Sequence, residues 1–246
     1  MKILTLIFPF GIPPYALSAF RGAINELVEP KSAYFHNHNN DSGDGYLHWD
    51  YPRIRYSLYK GHAAVTGIEE GILPLITELL PRLLAVDYLL IDGQPYGVAG
   101  FRLEQREAAL QWCDEPQAFG MHRWVALNKA NYRQWKKLEG NDEARKLLLG
   151  RALTGQLRAF AEVAFPDLDR KLVTASVLRV DEIKRVNWSK APLVAFDVVA
   201  ESLLVVPYGL GIGRSVAFGF GEVLPPEAYH RMLHKRRSLG GMEEPV

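Results

Sequence analysis

The sequence contains little cysteine and no long apolar run, and both shortages limit what it can encode. Its single cysteine among 246 residues, Cys113, excludes an internal disulfide, so we expect a cytoplasmic protein. No apolar run approaches the roughly 18 residues of a membrane span, so no membrane contact is expected. The apolar start Lys2–Phe10 is followed at once by Pro13 and Pro14. We therefore expect it to form a first strand rather than a signal peptide.

The net charge is also low, at +1, but it is unevenly distributed. Residues 121–190 contain 15 basic and 8 acidic side chains, a net charge of +7, whereas residues 1–120 contain 9 and 14, a net charge of −5. A local basic excess favours a polyanionic partner. The alternative is a solvated charged face with no partner.

The apolar pattern predicts an α+β fold that starts with the order β-α-β-β-α-β, which is the ferredoxin-like arrangement. The predicted elements of this first half are strands at 2–10, 53–60, 62–68, 87–92 and 96–105, and helices at 15–27 and 71–85. The second half begins in the same way, with strands at 122–128, 171–187 and 193–207 and a helix at 143–165, but shows no clear second helix. We place the boundary between domains 1–118 and 119–246, near Pro116 and Gly120.

A glycine-rich segment, PYGLGIGRSVAFGFGEV, lies near the end of the chain, with five glycines between residues 209 and 221. Glycine adopts positive φ and has no Cβ, so such a segment lets its backbone approach a ligand and offers N–H groups to a phosphate. A β-bulge or strained hairpin is the alternative. The spacing fits neither a P-loop nor a dinucleotide fingerprint.

A pair of histidines, His36 and His38, stands in an early polar segment. In an extended chain, residues i and i+2 point the same way, about 6.6–6.8 Å apart, so two imidazoles can bracket one phosphate. Histidine suits acid–base chemistry because its unperturbed pKa is about 6.5. A zinc site with His48, Asp41 or Asp44 is an alternative, although the spacing is unfamiliar. Loop histidines without a function are another.

The glycine-rich segment resembles a known family signature. Gly211-Ile212-Gly213, five residues that include Arg214, and then Gly219-Phe220-Gly221 resemble the G-h-G-x5-G-h-G motif of the repeat-associated (RAMP) superfamily of CRISPR-associated proteins. More narrowly, they resemble the endoribonucleases that cut precursor CRISPR RNA within each repeat. The resemblance covers the whole chain as architecture, but only this motif and the histidine region as residues.

The resemblance implies two tandem ferredoxin-like domains with a C-terminal glycine-rich loop, and RNA cleavage without metal or other cofactor. One histidine of the pair would take the proton of a ribose 2′-OH and the other would protonate the leaving 5′-oxygen, giving a 2′,3′-cyclic phosphate and a 5′-OH. Lys31 and Tyr46, with Lys60 as a third candidate, would stabilise the charge on the phosphate. The candidate RNA-binding residues are Arg53, Arg55, Gly211, Gly213, Arg214, Ser215, Gly219, Gly221, Lys235, Arg236 and Arg237.

The expected partner is CRISPR repeat RNA, with an effector complex and a homodimer left open. One alternative is a non-catalytic RAMP-fold subunit that binds RNA within such a complex, which would have no need of the histidine pair. Another is a small-molecule phosphodiesterase with one His-x-Thr/Ser motif in each half. This sequence has no such pair of motifs.

Overall fold

The computed structural model describes residues 1–28, 33–36, 51–109, 111–188 and 191–238. Its contacts divide the chain into two units, one of Met1–Ala109 with Ala217–Gly219 and one of Leu110–Val216 with Phe220–Val246. The boundary predicted between residues 118 and 119 lies inside a strand, Trp112–Trp124. Among the described residues, none of the helices combines the length and apolar character that a membrane span requires.

The first unit contains an antiparallel four-stranded sheet in the order β2-β3-β1-β6. Its strands are β1 (Lys2–Ile7), β2 (Ile54–Tyr59), β3 (His62–Ile68) and β6 (Arg102–Glu107). If the four strands of this sheet are numbered 1 to 4 along the chain, their order is 2-3-1-4. This is the order of a ferredoxin-like fold, as the sequence predicted. The buried residues of one sheet face, among them Leu6, Tyr56 and Val65, form the core with the helices.

The helices of the first unit include one irregular run. Helix α1 (Leu17–Leu27) follows a 3₁₀ turn at Pro14–Ala16, and the short helix α2 (Ala33–His36) comes next. The second crossover is a 3₁₀ turn (Glu69–Gly71), α3 (Ile72–Pro74), a π-helical turn (Leu75–Leu79) and α4 (Leu80–Leu83). Pro81 has no N–H to donate within an α-helix, so the wider π turn just before it is physically reasonable.

A hairpin between α4 and β6 differs from the sequence prediction. Strands β4 (Tyr88–Ile91) and β5 (Gln94–Gly97) form a separate two-stranded sheet. The single strand predicted over residues 96–105 is therefore wrong. The chain turns at Gly100, whose φ of +89° is a left-handed conformation that favours glycine, before β6 begins.

The second unit repeats the same strand order around a longer sheet. Its antiparallel order is β10-β7-β9-β8, formed by β7 (Trp112–Trp124), β8 (Ala175–Trp188), β9 (Ala191–Leu204) and β10 (Glu222–Leu224). The strand predicted at residues 122–128 ends at Trp124 and begins ten residues earlier than expected, because the polar stretch from Trp112 also pairs with β9. Both halves of the chain are therefore ferredoxin-like, as predicted.

Two capped helices, α5 (Lys129–Lys137) and α6 (Asp142–Ala164), follow β7. Asn128 and Asn141 are their N-caps, each accepting a hydrogen bond from the backbone N–H three residues later. Leu149, Leu153 and Leu157 recur at helical spacing and are buried. Helix α6 therefore carries the apolar stripe that covers this sheet.

The connection from β9 to β10 contains no long helix. Residues 205–221 hold only a 3₁₀ turn at Val216–Phe218, and a helix, α7 (Pro226–Ser238), comes after β10. Because the second crossover of a ferredoxin-like fold joins the third and fourth strands, the glycine-rich segment occupies its place here. This explains why the sequence showed no clear second helix in this half.

Helix α7 packs closely against strand β7 at a glycine. The ring of Tyr229 is buried over Gly120, so that a Cβ at residue 120 would collide with Tyr229 Cγ, Cβ and Cδ2. The Tyr229 hydroxyl donates a hydrogen bond of 2.9 Å to Asp181 Oδ2 on β8. Burial is the main cause that raises the pKa of Tyr229, and the hydrogen bond to Asp181 adds to it.

Gly120→Ala should lower the free energy of unfolding by about 1–3 kcal/mol, since the added methyl forces Tyr229 and α7 away from the sheet. Urea denaturation measures this. Gly155→Ala is the matched control, because Gly155 lies inside α6 with nothing within 4 Å of an added Cβ. That change should stabilise the protein by roughly 0.5–1 kcal/mol. Equal effects of the two substitutions would contradict the packing described here.

Candidate functional site

The histidine segment and the glycine-rich segment meet at one side chain of the first unit, Arg21 on α1. Its Nη2 donates a long hydrogen bond of 3.4 Å to the carbonyl oxygen of Phe35. Its Cζ lies 4.4 Å from the centroid of the Phe218 ring. Phe35 directly precedes His36, and Phe218 directly precedes Gly219. Two stretches far apart in the sequence therefore contact the same guanidinium.

A tyrosine and an asparagine hold this guanidinium in place. Arg21 hydrogen-bonds the side chain of Tyr56, whose hydroxyl donates to Asn25 Oδ1 at 2.9 Å. Burial raises the pKa of Tyr56, partly offset by Arg21, so the phenol keeps its proton at neutral pH. Burial likewise lowers the pKa of Arg21, partly offset by Tyr56. The result is a half-buried chain of polar groups that joins α1 to β2.

Gly219 brings the glycine-rich segment close to β2. Its φ is +78°, and a Cβ there would lie 3.2 Å from both Leu17 Cδ1 and the carbonyl oxygen of Tyr56. Both the backbone conformation and the lack of space favour glycine. The position of Phe218 over Arg21 therefore depends on a residue without a side chain immediately after it.

Most of the predicted catalytic residues lie outside the described part of the chain. This applies to Lys31, His38 and Tyr46, and to the zinc alternatives Asp41, Asp44 and His48. His36 is the last residue of α2, and only its backbone is described. Lys60 is exposed in the turn between β2 and β3, with its Nζ 5.0 Å from the centroid of the Tyr59 ring.

In the second unit, the glycine-rich segment is bonded to the protein's own backbone. Ile212 N donates to Gly221 O at 2.9 Å, and Arg214 N donates to Val125 O at 3.0 Å. A Cβ at Gly213, where φ is +118°, would lie 2.7 Å from Trp124 Cδ1. Glycine at residue 213 is therefore explained by packing within the protein, which is the hairpin-like alternative of the sequence analysis.

The other positions of this motif have distinct surroundings. A Cβ at Gly221 would collide with the carbonyl oxygen of Ile212. Phe220 is buried, and its ring centroid lies 4.8 Å from the Cζ atom of Arg123. Ser215 adopts a positive φ of 59° although it is not glycine. Arg214 is half-buried, which lowers its pKa. Gly211 pairs with Glu222 in an isolated bridge.

The two arginines of the strand predicted at residues 53–60 differ in exposure. Arg53 Nη2 lies 3.5 Å from Glu70 Oε2, so it forms an ion pair within the protein. Arg55 is buried, with 2% of its surface exposed. The prediction that Arg55 holds a flanking phosphate needs a reachable guanidinium, and the structure does not present one at this position.

Lys235, Arg236 and Arg237, predicted to contact RNA, lie in the last turn of helix α7. They differ in exposure and in partners. Lys235 and Arg237 are exposed. Arg236 instead bonds inside the unit, with its Nη1 3.3 Å from Asp197 Oδ2 and its Nη2 3.0 Å from His122 Nε2. Arg236 as a phosphate contact stays a prediction, and it would require this guanidinium to leave the buried carboxylate of Asp197.

The hydrogen bonds around Asp197 indicate which ring nitrogen of His122 carries the hydrogen. A guanidinium only donates, so His122 Nε2 accepts from Arg236 and the ring proton lies on Nδ1, which donates to Asp197 Oδ1 at 2.8 Å. The backbone N–H of Arg123 donates to the same oxygen at 2.7 Å. Burial alone would raise the pKa of Asp197, but the bonds from His122 and Arg123 and the charge of Arg236 outweigh it, so this pKa lies below its usual value.

Comparison with known proteins identifies the family. The sequence matches the Cas6b N-terminal domain over residues 1–108 and the Cas6b C-terminal domain over residues 112–225. The chain belongs to the Cas6b family. This confirms the resemblance to the RAMP superfamily of CRISPR-associated proteins that the glycine motif indicated. Between them, the two family domains include every strand of both four-stranded sheets.

Solved Cas6b structures share the fold over nearly the whole chain. One crystal structure of Cas6b superposes with a TM-score of 0.76 at 19% identity, covering 91% of this chain and 98% of that one. A second, of a CRISPR RNA processing endoribonuclease Cas6b, has a TM-score of 0.64 at 17% identity and covers 91% of this chain and 99% of that one.

One relative was also found by sequence. An uncharacterized protein of Methanocaldococcus jannaschii is 29% identical over 104 residues, which are 42% of this chain and 68% of that protein.

Arg21, which contacts both the histidine segment and the glycine-rich segment, was not among the residues predicted from the sequence. Arg21 stands four residues after the buried Leu17 and three before the buried Ile24, on an apolar face of α1. A charged residue at this spacing was an available signal, because the core side of a helix seldom carries an unpaired charge. The contact between His122 and Asp197 had no comparable signal, since 75 residues separate them in the chain.

Acid should weaken the anchoring of α7 through Asp197. The pKa of Asp197 is lower in the folded protein than in the unfolded chain, where it is about 3.9. The carboxylate therefore stabilises the fold fully above the unfolded pKa, and this contribution is lost as the pH falls through the folded pKa. Asp197→Asn should cost about 3 kcal/mol at neutral pH, and its difference from wild type should shrink below about pH 4. Chemical denaturation across pH measures both effects. Asp167→Asn, at an exposed position, is the control and should change little. A pH-independent difference for Asp197→Asn would contradict the carboxylate's role.

Proposed function

We propose that this protein is a metal-independent endoribonuclease that cleaves CRISPR repeat RNA. The observation that carries the proposal is its membership of the Cas6b family over both domains. A structural relative is named a CRISPR RNA processing endoribonuclease, and another solved structure of similar fold, with a TM-score of 0.51, is a Cas6 product complex. The meeting of the histidine and glycine-rich segments at Arg21 also supports it, since both are assigned to one reaction.

The proposed chemistry is an internal transesterification. The ribose 2′-oxygen forms a bond to the neighbouring phosphorus while the bond from phosphorus to the 5′-oxygen breaks. One imidazole of the pair His36 and His38 takes the 2′-OH proton, and the other donates a proton to the leaving oxygen. The products are a 2′,3′-cyclic phosphate and a 5′-OH. Because no water attacks, the step needs no metal-bound hydroxide.

Negative charge develops on the phosphate oxygens during the attack and needs donors or cations nearby. We assign this role to Lys31 and Tyr46, which flank the histidine pair in the sequence. Arg214 and the backbone of the glycine motif are proposed to bind the RNA, and Lys235 and Arg237 to contact its phosphates. Arg53 remains a candidate that would have to exchange Glu70 for a phosphate.

A labelled repeat RNA, incubated with and without EDTA, tests the proposal. We expect cleavage once per repeat in both conditions, a cyclic phosphate on the upstream product, and no cleavage of an RNA with a single 2′-deoxyribose at the cut site. In the same assay His36→Ala and His38→Ala should each lose about 10²–10⁴-fold in rate with RNA binding nearly intact. His234→Ala, at an exposed position on α7, is the control.

Three results of this assay would oppose the proposal. Loss of cleavage in EDTA would indicate a metal-dependent reaction. Cleavage of the 2′-deoxy substrate would exclude the ribose oxygen as the nucleophile, and full activity of both histidine variants would remove the pair from the mechanism. Tight binding of RNA that stays intact would favour the alternative of a non-catalytic RNA-binding subunit.

The salt dependence of RNA binding should separate phosphate contacts from structural arginines. Replacing Arg214, Lys235 or Arg237 by alanine should weaken binding and lower the slope of log affinity against log salt by roughly 0.7–0.9 for each phosphate that is no longer neutralised. Arg236→Ala should mainly reduce stability, because it leaves Asp197 buried without its cation. Filter binding at several salt concentrations, with thermal melts of each variant, tests the division. Unchanged slopes for all three exposed or half-exposed variants would argue against the assignment.

A further inference from the structure

Arg21 contacts both helix α2, whose last residue is His36, and Phe218 within the glycine motif. Its guanidinium contacts the Phe35 carbonyl oxygen at 3.4 Å and the Phe218 ring at 4.4 Å. We propose that Arg21 is a positioning residue for RNA cleavage, which places the histidine segment and the glycine-rich segment on one support. This inference rests on the proposed function.

Both contacts exploit the flat shape of a guanidinium. Its N–H groups donate in the plane, toward the carbonyl oxygen of Phe35, while its face packs on the ring of Phe218. A lysine ammonium is a compact point charge without such a face, so it cannot reproduce both contacts from one position. The geometry is therefore specific to arginine and not to positive charge alone.

The location of Arg21 also indicates a role beyond stability. An apolar side chain at residue 21 would pack against Phe218 without the cost of burying a charge. It could not donate to the carbonyl of Phe35. What arginine adds at this position is therefore a donor to the carbonyl oxygen of Phe35, together with its hydrogen bond to Tyr56. Tyr56 hydrogen-bonds the guanidinium and donates in turn to Asn25, so the position of Arg21 is fixed from α1 and β2 as well as from Phe35.

Arg21→Met and Arg21→Lys test the proposal in the full-length protein. Single-turnover cleavage of saturating repeat RNA should slow by roughly 10²-fold in Arg21→Met, since small misplacements of reacting groups cost about that much. Arg21→Lys should stay well below wild type, and RNA affinity and its salt slope should be nearly unchanged in both variants. The matched control is Arg158→Met, because Arg158 is also half-buried on a helix and donates to backbone carbonyl oxygens, those of Val173 and Lys171. It should change stability without changing the rate of the folded enzyme.

Hydrogen exchange of the same variants supplies a readout that does not need catalysis. Peptides that contain Phe35 and peptides that contain Phe218 should both exchange faster in Arg21→Met, and neither should change in Arg158→Met. An unchanged cleavage rate in Arg21→Met would overturn the proposal. Weaker RNA binding with a shallower salt slope, at an unchanged cleavage rate, would also overturn it, since Arg21 would then contact RNA directly. If the wild-type protein does not cleave, the proposed function fails. Independently of cleavage, unchanged exchange at both peptides in Arg21→Met would contradict the proposal that Arg21 connects the two segments.

Discussion

A Cβ at residue 221 would collide with the carbonyl oxygen of Ile212, and this close approach determines the course of the glycine-rich segment. Gly221 and Gly219 both adopt positive φ, at +70° and +78°. With glycine at these two positions, the backbone runs close to its neighbours while Phe218 and Phe220 each pack against a guanidinium. Packing inside the protein therefore accounts for the glycines at residues 219 and 221 at least as well as contact with a ligand does.

The same sheet order occurs twice, but the two units complete it differently. In the first, a helical run and the β4–β5 hairpin join the third and fourth strands of the pattern, whereas in the second the glycine-rich segment makes this connection. The sequence predicted this duplication because apolar alternation and helical spacing are local signals. In the second half it showed no clear second helix, and the described residues between β9 and β10 form no α-helix. Strand ends were less accurate, because Gly100 divides one predicted strand and the polar residues after Trp112 extend another.

The candidate site was predictable only in part, and the reason is physical. Short motifs indicated the histidine pair and the glycine signature, since each is a pattern within a few residues. The surroundings of single charges depend on distant residues, so the burial of Arg55 and the pairing of Arg236 with Asp197 were not visible. Arg21 is an intermediate case, because its place on an apolar helix face was visible in the sequence but its contact with Phe218 was not.

The match to the family ends at residue 225, and helix α7 begins at Pro226. This helix nevertheless supplies Tyr229 to the surface of the sheet and a counter-charge to the buried Asp197. A recombinant fragment cut at the family limit would thus uncover the sheet at Gly120 and remove the Arg236 cation from the buried Asp197. For this protein, the natural limit of the second domain extends through the last helix.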